Sequence, residues 1–133
     1  MATLCVETCC NGAVKVGPST YNFDDLLNAI AVVESRNDPN AVGDGGKAIG
    51  AYQIHRIYVD DVNSILGWRF FSYKDRWSAA KSREMVGVYL RHYGKGKSLE
   101  AMARIHNGGP KGDKKKSTLD YLEKIKKELT RFE

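Results

Sequence analysis

The chain has 133 residues, 42% of them hydrophobic and 28% charged, proportions of one ordinary globular domain and not of a disordered or collagen-like chain. No apolar run approaches the roughly 20 residues that cross a bilayer, and no basic start followed by a long apolar stretch marks a signal peptide. The net charge of +5 and a pI near 9.1 favour anionic partners: nucleic acid, a membrane surface or the polyanionic wall of bacteria.

Residues 1 to 20 read as a flexible leader, with Gly12, Gly17 and Pro18 and no sustained period. Its three cysteines, Cys5, Cys9 and Cys10, are an odd number at one end and make no disulfide framework. The domain proper is expected over 21–133. Asn22 reads as an N-cap, with Asp24 and Asp25 in the first turn of a helix. Phe23, Leu26, Leu27, Ile30 and Val33 recur at three- and four-residue intervals as its buried stripe, and Pro39 is the expected stop. From Asn40 to Gly50 four glycines predict a loop or tight hairpin. Ala51 to Ile54 reads as a short extended piece. Ile57, Val59, Val62, Ile65 and Leu66 predict a second helix that ends at Gly67.

Ser72 with Asp75 reads as the capping box of a long third helix, its stripe running through Trp77, Ala80, Met85, Val88, Tyr89 and Tyr93 to Gly94. Ser98 caps a fourth, with Leu99, Met102, Ala103 and His106 inward, and Asn107-Gly108-Gly109-Pro110 stops it. A basic linker comes next. Ser117 with Asp120 predicts another capping box, for a last helix striped by Leu122, Ile125, Leu129 and Phe132. The lysines from Lys111 to Lys127 read as a solvated face. There is no internal repeat.

Glu34 lies four residues after Ile30 and seven after Leu27, on the apolar side of the first helix and at its C-terminal end. Burial and the negative end of the helix both disfavour an ionised carboxylate there, which suits a general acid. Asp44, in the glycine-rich loop, sits where water keeps a carboxylate charged. Two carboxyls in contrasting surroundings are what glycoside hydrolysis uses, one to protonate the leaving oxygen and one to manage the cationic sugar. The alternatives are plain: Glu34 as a frayed helix end and Asp44 as a turn former. His106 to Pro110 offers glycines for close approach and an Asn with donor and acceptor, or simply a helix stop. No residue set is spaced to hold a metal, and no cofactor is implied. The lysines lack interleaved aromatics, so no nucleic-acid partner is expected.

Val33-Glu34-Ser35, Gly50-Ala51-Tyr52-Gln53-Ile54, Ala103 to Pro110 as Ala-Arg-Ile-His-Asn-Gly-Gly-Pro, and Thr118-Leu119-Asp120-Tyr121 occur in that order. The set resembles the lysozyme-like superfamily, closest to invertebrate-type lysozymes and to the soluble lytic transglycosylase domain, over about residues 22 to 130. The resemblance implies an α+β, mostly α, lysozyme-like fold with a small glycine-rich loop or hairpin and a cleft between two lobes. It implies a peptidoglycan hydrolase, a muramidase of antibacterial, bacteriolytic type, that cleaves the β-1,4 bond between N-acetylmuramic acid and N-acetylglucosamine at the bacterial cell wall. Delivery there could be secreted, periplasmic or phage-borne, and a monomer is expected. Glu34 corresponds to the catalytic acid and Asp44, across a small gap, to the second carboxylate. Gln53 and Asn107 correspond to cleft residues, with Ser35, Tyr52, His106, Gly108 and Tyr121 as supporting substrate-binding positions. The scarcity of cysteine departs from the disulfide-rich invertebrate enzymes and favours a bacterial or phage source. His106 stands where lytic transglycosylases usually carry Tyr. Two alternatives remain: a lytic transglycosylase giving 1,6-anhydromuramic products, and a non-catalytic wall-binding protein.

Overall fold

The computed structural model describes residues 20–132. The predicted leader apart from Thr20, with its cysteines, and the Phe132 side chain of the last stripe lie outside the described residues. Helix α1 (Phe23–Ser35) starts where Asn22 and Asp25 exchange hydrogen bonds. Asn22 Oδ1 accepts from the Asp25 amide at 2.8 Å, and Asp25 Oδ2 accepts from the Asn22 amide at 2.9 Å. Its stripe buries Leu26, Leu27 and Ile30. The helix ends before Pro39 acts on it: Arg36 and Asn37 both take left-handed backbone, at φ 59° and 64°, and their amides close on the Val32 and Ala31 carbonyls.

The glycine-rich stretch is a hairpin. Strand β1 (Val42–Gly43) pairs antiparallel with β2 (Ala48–Ile49), Val42 opposite Ile49. A 3-10 turn, Asp44–Gly46, forms its tip. The predicted extended piece after it is instead a tight turn. Gly50 at φ 84° and Gln53 at φ 52° reverse the chain, and Ile54 bridges back to Ile49. Helix α2 (Arg56–Leu66) ends at Gly67 as expected. Tyr58, Val59 and Val62 carry its buried side, while Ile57 is 70% exposed, against the predicted stripe.

The Ser72–Asp75 box forms, but it caps a short 3-10 turn, Tyr73–Trp77, and not the long helix. Ser78 is extended and starts helix α3 (Ala79–Tyr93) anew, its Oγ accepting from the Lys81 amide. Trp77 and Ala80 therefore lie exposed rather than in the stripe. Helix α4 (Leu99–Gly108) has the predicted Ser98 cap. The Ser117–Asp120 box does not form. A 3-10 turn, Lys116–Thr118, leads into α5 (Leu119–Leu129), and the Thr118 hydroxyl turns inward to the Gly112 and Lys115 carbonyls, each at 2.8 Å.

Helix α1 lies against α5, α2 against α3, and α4 against both α3 and α5. Leu26, Ile30, Val59, Val62, Met85, Val86, Leu90, Ala103 and Ile105 are fully enclosed between them, each large side chain contributing about 1.5–3 kcal/mol on burial. The hairpin is fastened to this body by Arg76. Its guanidinium is buried and donates to the carbonyls of Tyr73 (2.7 Å), Ile54 (3.1 Å) and Lys47 (3.4 Å). The fold is α+β, mostly helical, as the sequence implied.

Candidate active site

Glu34 is the last but one residue of α1, and its direction is fixed by its neighbour. Ser35 Oγ donates to the Ala51 carbonyl at 2.8 Å and accepts from the Asp38 amide at 2.9 Å. The end of α1 is thus pinned to the turn after the hairpin. Glu34 then lies in a groove of about 520 Å³ lined also by Asp44, Ala48, Gln53 and His55 from the hairpin side. Ile57, Tyr58 and Asp61 of α2, Tyr89 of α3, and His106, Asn107, Gly109 and Pro110 at the end of α4 complete the lining.

The Glu34 side chain is 19% exposed, turned into this groove and not into bulk water. Two groups meet its Oε2: the Tyr121 hydroxyl donates at 2.9 Å, and His106 Nε2 stands at 3.3 Å. The His106 ring is 4% exposed, and its Nδ1 lies 2.9 Å from the Tyr58 hydroxyl. Tyr58 stacks on Tyr89 with ring centres 3.9 Å apart. Burial first, then Tyr89, then the charge of Glu34 hold the Tyr58 phenol well above its ordinary value. Burial, then the charge and hydrogen bond of Glu34, do the same to Tyr121. Both therefore stay protonated. The surroundings of Glu34 are more mixed than the sequence suggested. Its enclosure at the end of α1 is joined by the Tyr121 hydroxyl and the His106 ring, both against Oε2.

Across the groove Asp44 is exposed at the hairpin tip, in left-handed backbone at φ 50°. Its Oδ2 lies 3.0 Å from His55 Nε2. Gln53, also left-handed, commits its amide nitrogen inside the hairpin, donating to the Ala41 carbonyl (3.3 Å) and the Gly50 carbonyl (3.1 Å). Non-glycine residues in that region of backbone are uncommon and gather at working sites.

Of the residues singled out in the sequence, Glu34, Asp44, Gln53, His106 and Asn107 share the groove. Tyr121 reaches it through Glu34. Ser35 is a fastening, and Tyr52 is 3% exposed with its hydroxyl accepting from Arg83. Gly108 sits beside Thr118, which a Cβ there would strike. Sequence reasoning missed His55, Tyr58 and Asp61. Tyr58 and Asp61 are three apart on α2, a spacing that puts both on one face, and this was the available signal. Among the described residues no three His, Cys, Asp or Glu side chains converge on a metal position. A second groove of about 620 Å³ runs along the other side of α1 beside Glu128 and Leu129; none of the singled-out residues lies there.

No family model matches the chain. Individual proteins do. It is 35% identical over 125 residues to invertebrate-type lysozyme 6 of Caenorhabditis elegans, which spans 80% of this chain and 87% of the relative. It is 35% identical over 80 residues to a lysozyme of Magallana gigas, covering 57% of this chain and 56% of that protein. Lysozyme 1 of Crassostrea virginica is 34% identical over 77 residues, covering 57% and 42%. In three dimensions the chain superposes on a chain of the crystal structure of Aeromonas hydrophila PliI in complex with Meretrix lusoria lysozyme, at a TM-score of 0.66 and 32% identity, over 77% of this chain and 87% of that one. The nematode and oyster relatives are animal proteins, so they lend nothing to the bacterial or phage source that the scarce cysteines suggested. With the likeness to the nematode protein running through nearly its whole length, the chain belongs to the invertebrate-type lysozymes.

Proposed function

We propose that this lysozyme hydrolyses the β-1,4 bond between N-acetylmuramic acid and N-acetylglucosamine with Glu34 as the general acid. The observation that carries the reading is the placement of Glu34 and Asp44 in one groove, one enclosed and one wet. Tyr121 and His106 converge on Glu34 Oε2, so the other oxygen is the one that delivers a proton to the glycosidic oxygen. Asp44, open to water and held by His55, stabilises or captures the sugar cation as the bond breaks. Asn107 offers donor and acceptor to acetamido groups, and the bare backbone at Gly109 lets a sugar come close. The Gln53 donors are engaged within the hairpin, so only its carbonyl oxygen is offered to substrate.

The proposed catalytic unit is residues 21–133, acting as a monomer. Its place of action is the bacterial wall, where its positive charge is drawn to an anionic polymer. Among the described residues no helix is long and apolar enough to cross a membrane.

Glu34→Gln is expected to lower clearing of a cell-wall suspension by at least about 100-fold, with the melting temperature retained. Full clearing by that variant would refute the assignment. Asp44→Asn tests the second carboxyl. Under hydrolysis it is severe and the wild-type products carry reducing ends. A transglycosylase would tolerate it and release 1,6-anhydro ends, lighter by one water in mass spectrometry.

A further inference from the structure

His106 was expected to touch substrate. We propose that it is instead a positioning residue, which with Tyr58 keeps the working proton on Glu34. The inference rests on the reading of Glu34 as the acid.

The geometry carries it. The imidazole is almost wholly enclosed, with one nitrogen facing Glu34 Oε2 and the other facing the Tyr58 hydroxyl. In the proposed arrangement the buried Tyr58 phenol donates its O–H and Nδ1 accepts at 2.9 Å. Nδ1 then carries no hydrogen, and the ring's one hydrogen sits on Nε2, pointing at Glu34. Tautomer choice by the partner of the second nitrogen is the general behaviour of histidine.

Glu34 and His106 can share one proton in two ways. On Glu34 it makes a neutral acid beside a neutral ring. On His106 it makes an ion pair that has no proton to give a sugar. The second arrangement needs a hydrogen on Nδ1, which collides with the Tyr58 O–H unless that hydroxyl turns round. Tyr58 therefore disfavours the ion pair. The Tyr121 hydroxyl and the Nε2 hydrogen fill Oε2, so the proton takes the other carboxyl oxygen. The remaining titratable groups that face this pair are Asp61 of α2, Tyr89 of α3, and Asp44 and His55 on the hairpin side. The Asp44–His55 contact lies across the groove and gives Asp44 a partner of its own.

The test is the pH profile of kcat and KM on soluble peptidoglycan fragments for Tyr58→Phe, His106→Gln and the double variant, with melting temperatures to confirm folding. Tyr58→Phe is expected to lower kcat about tenfold near neutral pH, leave KM within about twofold, and move the optimum about one unit to acid. Acid restores the variant because a second proton then occupies Glu34 even when the ring is charged. Gln at 106 still offers an N–H to Glu34 but cannot hold the proton. In that background Tyr58→Phe should change the profile no further. A wild-type profile in Tyr58→Phe overturns the proposal. So does a large rise in KM at unchanged kcat for His106→Gln, the mark of a lost sugar contact. Measuring Glu34→Gln alongside separates the failures: if it is active both readings fall, and if it is dead while the profiles stay put only the proton-holding role falls.

Discussion

A single hydroxyl illustrates how the site works at the level of one residue. Tyr121 comes from α5, 87 positions beyond Glu34, and its O–H is one of the two donors on the acid. Its own ionisation lies well above the usual tyrosine range, so it remains a donor across any pH at which the enzyme works. Tyr121→Phe removes that donor and keeps the ring. The expected outcome is a fall in kcat of about tenfold with KM nearly unchanged, read from steady-state kinetics; an equal fall in binding of an uncleaved fragment would instead make Tyr121 a substrate contact. The order of the motifs hints that Glu34 and Tyr121 meet, but local pattern does not establish the pairing. Nothing in a short stretch of chain tells which residue of a last helix reaches the end of the first.

Among the elements, the hairpin depends on a glycine that has no alternative. A Cβ on Gly50 would stand 2.0 Å from the Arg76 carbonyl oxygen, at φ 84°. Gly45 is also left-handed but has nothing within 4 Å. Gly50→Ala should cost about 2–4 kcal/mol, a drop in melting temperature on the order of 10 °C. Gly45→Ala should cost about 1 kcal/mol. Equal losses in calorimetry would mean that the close approach to Arg76 is not what requires glycine. The caps at Asn22, Gly67 and Ser98 were legible because each involves only one side chain or one φ and its own helix. The Ser72–Asp75 box was equally legible, yet the helix it introduces is a single 3-10 turn where a long α-helix was expected. That turn stops at Ser78, where Arg76 has turned inward to the Lys47 carbonyl of the hairpin and the Ile54 carbonyl after it, a long-range demand that no window of sequence contains. Thr118 displaced the Ser117 cap for the same reason. Tyr58 belongs to the core of α2; that its hydroxyl also completes the acid's surroundings depends on where α4 ends.

Taken whole, the molecule carries phenols whose ionisation is raised by burial first, Tyr58, Tyr89 and Tyr121 among them. Groups whose folded-state ionisation is raised contribute stability that is complete below the unfolded value, 10.0 here, and that drains away as pH climbs toward the folded one. The protein should therefore hold its helices to about pH 10 and then unfold in one alkaline step. Tyrosinate absorbance and circular dichroism should move together as these three titrate. Smooth titration of all seven tyrosines with unchanged dichroism would contradict this. The overall architecture was accessible from the sequence because helical stripes and ordered motifs are repeated evidence for one arrangement. The groove was less so, since its walls come from the hairpin, α1, α2, α3 and α4 at once. Arg76 has a further consequence for how those walls behave. A buried cation gripping backbone at the hairpin tip, in the turn after it and in the segment before α3 braces that wall of the trough. With that wall braced, the ring distortion that bond cleavage demands is expected to fall on the sugar rather than on a closing jaw.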